Sequence, residues 1–368
     1  MKGGAHLVTV GARIKELRKS KGLSQEAIGN LLNVTRQTVG AWEKGESDPT
    51  AGQLYMLARL LNVPVDVFLE TSEPKVRFLF RADDPGILSK STIRTAFTRA
   101  VYYAECEKML GIFASLPECR ALNEYLPEVI ENTAAKIREW LGVEEGPLCR
   151  PIETVARRGI KVLFLDFPNE VSGFSAYSEE LGAVIFINAK HPLDRRYNTL
   201  FHELGHLVFH RGAYSDNATA SSKVQEKIAN HFAGAVLFPK EEVFLELGKF
   251  ARRWIPEAIL DDIKFKYSIS KRTVLTRAFQ VGLIGKKQYG QQLGRLNQKY
   301  GTKTEEPKLP EEPDVKENKH LVQLVFKLLA LEEITMSRAS EALGVSLGEV
   351  ERRYIEWLRG EGISEVCH

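Results

Sequence analysis

The chain has 368 residues, 43% of them hydrophobic and 27% charged, with a formal net charge of +3 at pH 7. This length predicts two to three domains, and the composition is that of an ordinary soluble protein. No apolar run approaches the roughly 20 residues that span a bilayer, and the N-terminus lacks the layout of a signal peptide. We therefore expect a cytoplasmic protein with no membrane partner. The cysteines lie far apart without a C-x-x-C pair, which predicts free thiols and argues against a disulfide framework.

The first 70 residues predict short helices separated by turn signals. Ser24 and Thr35 are typical N-caps, and Gly45 is a typical helix stop. The predicted helices are 14–21, 25–32, 35–44 and 51–61, followed by a short turn that ends at Leu69. The core positions expected from the apolar spacing are Leu17, Ile28, Leu31, Val39, Trp42, Leu57 and Leu60.

This pattern resembles the XRE family, the Cro and phage-repressor type of helix-turn-helix domain, over about residues 11–69. The resemblance implies a five-helix domain that places its second motif helix in the major groove of operator DNA. Gln37 suits adenine, and Arg36 suits guanine or phosphate. The residues expected at the DNA are Gln25, Thr35, Arg36, Gln37 and Thr38. A single module of this kind implies a homodimer or assembly with another repressor. The alternative is a helical interaction module that does not bind DNA.

The middle of the chain predicts helices that lead into a small sheet. Apolar runs at 160–165 and 183–187 are the strand candidates, joined by a hairpin-like loop from Ser172 to Glu180. Helices are expected from Arg195 to about Tyr300. Two segments, 267–284 and 334–354, each show a helix-turn-helix pattern. Both are interpreted as helical packing or partner docking, with a second DNA-binding element as the alternative.

His202, Glu203 and His206 form an H-E-x-x-H pattern in an apolar, helix-like run. Histidines four residues apart lie one turn apart on a helix and can bind one metal ion. Glu226, twenty residues beyond His206, lies on a second predicted helix and supplies an acidic ligand. Two histidines and a glutamate with one open position form a catalytic zinc arrangement. The non-metal alternative is two ordinary histidines on a packed helix.

Three further polar residues surround this predicted site. Asn230 lies one turn after Glu226 and is expected to hydrogen-bond a ligand histidine. His210 is expected to cap its helix or line the cleft, with a closed, four-ligand site as the alternative. His231 is expected at the surface or partly packed.

Residues 199–210 and 226–239 together resemble the ImmA/IrrE family of zincin-like metallopeptidases, over about residues 130–300. The resemblance implies one Zn²⁺ per chain, held by His202, His206 and Glu226, with Glu203 as the general base. Phe201 departs from the family, in which a small residue often precedes the first histidine. We further expect the strand Ala183–Ile187 to pair with an extended substrate backbone.

These patterns predict a mainly α-helical α+β chain. The predicted domains are 1–71 (helix-turn-helix), 72–129 (helical connector), 130–302 (zinc peptidase), 303–318 (Pro/Glu linker) and 319–368 (helical C-terminal module). The predicted function is a transcriptional regulator whose zinc endopeptidase cleaves a repressor, a toxin–antitoxin component or another regulatory protein. One alternative is a DNA-binding repressor or antitoxin-like protein whose zincin fold is a non-catalytic sensor or partner-binding module. Another is a peptidase whose helix-turn-helix only contacts proteins.

Overall fold

The computed structural model describes residues 10–61, 68, 78–80, 90–113, 116, 121–178, 181–214, 222–301, 307–310 and 319–360. Contacts divide the chain into two compact units, Met1–Lys75 and Val76–His368. Helices predominate in the described part of the chain, and four strands form one sheet in the second unit. The prediction of a mainly α-helical α+β fold is therefore confirmed. None of the described helices is long and apolar enough to cross a membrane.

The first unit contains the four predicted helices, with a shift of a few residues at some ends. They are α1 (Val10–Ser20), α2 (Gln25–Leu32), α3 (Arg36–Lys44) and α4 (Ala51–Leu61). Ser24 and Thr35 accept hydrogen bonds from the first turns of α2 and α3, and Gly45 ends α3 at φ +75°. The predicted fifth element lies outside the described residues except for Phe68.

The core of the first unit contains most of the predicted positions but not Leu31. Ile28, Val39 and Trp42 are buried together, whereas the Leu31 side chain is 57% exposed. The residue one turn after Ile28 that packs on this core is Leu32. Leu32 therefore packs on the core at the position that the sequence analysis assigned to Leu31.

The second unit is built on a sheet with the strand order β1-β3-β4-β2. The strands are β1 (Phe78–Phe80), β2 (Lys161–Leu165), β3 (Gly173–Ser178) and β4 (Gly182–Asn188). β4 is parallel to β2 and antiparallel to β3, and β1 is antiparallel to β3. Two predictions are wrong here. Most of the predicted loop is strand β3, and β4 has neighbours on both sides, so Ala183–Ile187 offers no edge to a substrate.

Twelve described α-helices surround this sheet. They are α5 (Lys90–Met109), α6 (Pro127–Leu141), α7 (Pro151–Arg157), α8 (Leu193–Phe209), α9 (Lys223–Leu237), α10 (Lys240–Leu247), α11 (Glu257–Tyr267), α12 (Lys271–Gln280), α13 (Lys286–Tyr300), α14 (Lys319–Ala330), α15 (Met336–Leu343) and α16 (Leu347–Leu358). Short 3-10 helices cover Arg211–Tyr214 and Gly248–Phe250.

Alternate residues of the sheet enter two different cores. Ile185 and Ile187 pack with α6 to α9, whereas Val184 and Phe186 pack with α5 and α14 to α16. Arg99 of α5 donates hydrogen bonds to the backbone oxygens of Phe164 and Leu343 and so links α5, β2 and α15. The C-terminal helices thus cover one face of the sheet, in agreement with the packing interpretation of 334–354. The finer five-segment division of the chain stays a prediction.

The cysteines differ from the sequence expectation in one respect. Cys106 is a buried free thiol, as expected. Cys149 is instead disulfide-bonded, which corrects the expectation of a free thiol at this position. The wide spacing of cysteines in sequence therefore does not exclude a disulfide.

Candidate metal centre and nucleic-acid interface

His202 and His206 on α8 and Glu226 on α9 meet at one point. The Nε2 atoms of the two histidines are 3.0 Å apart. The two carboxylate oxygens of Glu226 lie 3.3 Å from these nitrogens, one oxygen at each ring. Among the described residues, this is the one group of three whose ligand atoms all lie within 4.8 Å of one another. The three side chains therefore fit a single metal ion.

The close crossing of α8 and α9 depends on Gly205. A Cβ atom at this position would lie 3.0 Å from Cδ1 of Phe232 and 3.2 Å from Cα of Ala229. Such contacts leave almost no space for a side chain between the two helices. Glycine between the histidines thus lets α9 come near enough to bring Glu226 to both rings.

Asn230 orients the first histidine. Its Oδ1 lies 3.0 Å from Nδ1 of His202. Because an amide oxygen only accepts, Nδ1 of His202 carries the proton and Nε2 keeps its lone pair for a metal. Asn230 therefore lies where the sequence analysis expects it.

His210 contacts His206 at Nδ1, the ring nitrogen that does not face His202 and Glu226. Nδ1 of His210 lies 3.0 Å from Nδ1 of His206, and its backbone N–H caps α8 by donating to the His206 oxygen. Burial, followed by the neighbouring His206, lowers the pKa of His210 to about 4, so the ring is neutral near pH 7. In the described part of the site His210 is not within the ligand group, which disfavours the four-ligand alternative.

Glu203 lies between α8 and the sheet and is 1% exposed. The hydroxyl of Ser175 on β3 donates a 2.7 Å hydrogen bond to its Oε2. Sequence reasoning missed Ser175, because this contact depends on a strand that the sequence analysis interpreted as a loop. β3 reaches the helix through Gly173, where a Cβ would lie 2.6 Å from Cγ2 of Thr199.

A cavity of about 500 Å³ opens beside the metal-ligand group. Glu226 and Asn230 form one wall, and aromatic and basic side chains form the others. Two of these side chains form a cation–π contact, in which Nζ of Lys227 lies 3.6 Å from the ring centre of Tyr125. The cavity is large enough to receive the side chain of a bound peptide.

His231 is buried, which corrects the expectation of a surface or partly packed residue. It is 1% exposed, its Nε2 lies 2.7 Å from Glu131, and its Nδ1 lies 2.9 Å from the Tyr125 hydroxyl. Arg277 donates two hydrogen bonds to the same Glu131 carboxylate. Burial raises the pKa of Glu131, but the bonds from His231 and Arg277 outweigh it and lower this pKa to about 2.

In the first unit, the side chains predicted to read DNA lie at the start of α3. Arg36 and Gln37 are exposed. Thr35 and Thr38 contact each other, with 2.9 Å between their hydroxyls, while Thr35 also caps the helix. The two threonines thus hold the end of α3 that presents Arg36 and Gln37 to solvent.

Gln25 is held from inside the same unit. Its Nε2 donates to Oε2 of Glu43 at 2.8 Å, and NH2 of Arg18 donates to the same oxygen at 3.0 Å. Burial raises the pKa of Glu43, but the Arg18 and Gln25 bonds lower it overall. The carboxamide of Gln25 is therefore oriented by Glu43, and its predicted phosphate contact stays a prediction.

Two family models match this chain in these same regions. The helix-turn-helix model covers residues 14–68, and the IrrE N-terminal-like domain model covers residues 155–278. An uncharacterized HTH-type transcriptional regulator of Sinorhizobium medicae is 40% identical over 63 residues, which are 17% of this chain and 45% of that protein. The matched part thus spans less than half of that relative.

A prophage-derived HTH-type regulator of Bacillus subtilis, YonR, is 38% identical over 78 residues, 21% of this chain and 72% of YonR. A Mycobacterium tuberculosis transcriptional regulator of known structure shares 17% identity over 50% of each chain, with a TM-score of 0.31. The fold and sites define a helix-turn-helix unit followed by a peptidase-type unit with a metal-ligand group. The chain belongs to the HTH-type transcriptional regulators through its first unit, and its second unit contains an IrrE N-terminal-like domain.

Proposed function

We propose that this chain is a DNA-binding regulator whose second unit is a zinc-dependent endopeptidase. Its substrate would be a repressor, a toxin–antitoxin component or another regulatory protein. The observation that carries the proposal is the convergence of His202, His206 and Glu226 beside a buried Glu203. These ligands fit one Zn²⁺ ion per chain because both imidazoles present Nε2 and each Nδ1 has a fixed partner.

When bound, Zn²⁺ supplies Lewis-acid polarisation of the scissile carbonyl and acidifies a water molecule. The residues of the chain perform the remaining tasks. Glu203 accepts the proton of the attacking water and delivers it to the leaving amine. Ser175 holds one oxygen of Glu203, so the carboxylate keeps one orientation while the proton moves. Asn230 keeps the His202 ring in the tautomer that leaves Nε2 available, and His210 does the same for His206 when its Nδ1 accepts the hydrogen bond.

The test of catalysis compares wild type with Glu203→Gln. The probes are casein, as an unfolded protein with many extended segments, and helix-turn-helix repressors encoded beside the gene of this chain. We expect Glu203→Gln to keep its zinc content, measured by elemental analysis, and to lose about 10²- to 10⁴-fold in cleavage rate. His202→Ala should lose the metal itself. Equal cleavage by Glu203→Gln and wild type would contradict the mechanism and favour the non-catalytic sensor.

The first unit supports DNA binding because exposed Arg36 and Gln37 lie on a capped helix of the helix-turn-helix motif. We expect Gln37→Ala or Arg36→Ala to weaken binding to the promoter fragment of this protein's own gene by about 5- to 150-fold. Arg59→Ala is the matched control, because it removes the same charge from an exposed site on α4. If all three variants bind alike, α3 does not read the groove. A dimer on two half-sites is the expected stoichiometry.

A further inference from the structure

The outer edge of β3 is occupied by a segment of this same chain. β1 runs antiparallel to β3, with Phe78 opposite Ala176, Leu79 opposite Ser175 and Phe80 opposite Phe174. β3 pairs with β4 on its other side. An extended peptide that adds to a sheet edge makes the same kind of backbone ladder as β1 makes here. β1 is therefore bound as a peptide ligand of β3 would be bound.

This edge lies beside the candidate catalytic group. Leu79 is paired with Ser175, and the Ser175 hydroxyl lies 2.7 Å from Oε2 of Glu203. Directly opposite residues in antiparallel strands have Cα atoms about 4.5–5.5 Å apart. Of the three residues of β1, Leu79 is thus the one paired with the residue whose side chain contacts the carboxylate that would activate water.

β1 lies close in sequence to the boundary between the two units. The first compact unit ends at Lys75 and the second begins at Val76, so β1 starts three residues after the first unit ends. A break in the backbone of β1 would separate the helix-turn-helix from the metal-ligand group as two polypeptides. β1 is the first described strand of the second unit.

We propose that the chain is its own substrate and hydrolyses one of the two peptide bonds of Leu79. This inference rests on the proposed peptidase function. In the step, the oxygen of water forms a bond to the carbonyl carbon and the C–N bond breaks. Glu203 accepts a proton from the water and delivers it to the departing nitrogen. The products are a new carboxyl terminus at residue 78 or 79 and a new amino terminus at residue 79 or 80.

The first test follows the intact mass of the full-length chain. Protein prepared with a chelator is given one equivalent of Zn²⁺, and casein is digested in a parallel sample. We expect two fragments that join at residue 78/79 or 79/80, with a half-time unchanged by tenfold dilution because the strand is cut within its own chain. Glu203→Gln should stay intact.

The casein sample separates the two possible failures. Cleaved casein beside an intact chain, or a cut outside residues 78–80, would overturn self-cleavage and leave the proposed peptidase standing. If neither protein is cut, the peptidase function fails and self-cleavage fails with it.

A second test reads the pairing without any turnover. Proline at position 79 removes a backbone N–H, whereas alanine keeps it. In the metal-free Glu203→Gln background, we expect Leu79→Pro to raise amide hydrogen exchange in 173–178 by at least tenfold over Leu79→Ala. In the zinc-loaded active chain, Leu79→Pro should slow self-cleavage at least tenfold, and Leu79→Ala should stay within a few-fold of wild type. Equal exchange in the two variants would show that β1 does not hold this edge.

Discussion

Each unit has a carboxylate, buried in Glu43 and partly buried in Glu131, that accepts hydrogen bonds from two donors in other parts of its fold, but the two carboxylates lie beside different candidate sites. Glu43, in the last turn of α3, accepts from Arg18 and Gln25, while Arg36 and Gln37 in the first turn of the same helix are exposed. Glu131 accepts from the buried side chains of Arg277 and His231. His231 is adjacent in sequence to Asn230, which hydrogen-bonds the candidate ligand His202.

This difference predicts whether a substitution in each unit can change binding without changing the stability of the fold. At the start of α3, Arg36 and Gln37 project into solvent, so a change there can alter binding without altering the fold. At the candidate metal centre, His202 and His206 lie on α8 and Glu226 lies on α9, which crosses α8 closely. Changes in the supporting residues should therefore alter stability and metal binding together.

Removal of the Glu131 carboxylate should cause the largest loss of stability. Glu131→Ala leaves the fully buried guanidinium of Arg277 without its ion pair, and breaking a buried pair in this way costs about 3–5 kcal/mol. Urea unfolding at pH 7 measures the loss. The control is Glu128→Ala on the exposed side of the same helix, which should change stability by less than about 0.5 kcal/mol. Equal losses would mean that the pair does not stabilise the unit.

Removal of the amide that orients His202 should have the next largest effect. Asn230→Ala allows the ring to turn and should weaken zinc binding by about 10- to 100-fold. Competition with a chromophoric chelator measures the affinity. Lys223→Ala, at an exposed position near the start of the same helix, should bind zinc as wild type does. A zinc affinity of Asn230→Ala equal to that of wild type would remove the role assigned to this hydrogen bond.

Acid should weaken the second unit in part through Glu131. Its pKa in the folded chain, about 2, lies below the ordinary value of 4.5. Its contribution is therefore complete above pH 4.5 and is lost as the pH falls towards 2. Between pH 7 and pH 3 this group alone should account for about 2 kcal/mol of lost stability. Denaturant unfolding of wild type and Glu131→Gln at both pH values gives the difference, and parallel pH dependences would contradict it.

The smallest effect should come from the N-cap of α3. Thr35→Ala removes the acceptor for the Thr38 N–H and should lower the stability of the first unit by about 1 kcal/mol. Thr35→Ser keeps the oxygen and should lose much less. Thermal unfolding followed by circular dichroism distinguishes the two. Identical melting of both variants would mean that the hydroxyl does not cap α3.

The parts of the fold that were predictable depend on neighbours in sequence. Ser24, Thr35 and Gly45 mark helix ends by bonds within one turn, and the helices of the first unit follow from them. The same holds for the ligand group, because His202, His206 and Glu226 lie on two helices joined by a short connection. Helical spacing alone places the histidines on one face.

The parts that were not predictable depend on pairing across long stretches of chain. β1 pairs with β3 about 95 residues away, a distance over which no local pattern records the partner. Ser175 is a short polar residue in a stretch without strong strand character, so its contact with Glu203 could not be foreseen. His231 has the same difficulty, since Glu131 lies 100 residues before it.

The glycine between the two histidines also controls how closely α8 and α9 approach each other at the candidate metal centre. Zinc bonds to nitrogen and oxygen are about 2.0–2.2 Å long, and the spacing of α8 and α9 sets how near Glu226 comes to both rings. A methyl group at Gly205 would force Phe232 and Ala229 to give way by a few tenths of an ångström. We therefore expect Gly205→Ala to weaken zinc binding more than binding of ions with longer bonds. The absence of a methyl group at position 205 would thus favour ions with short bonds.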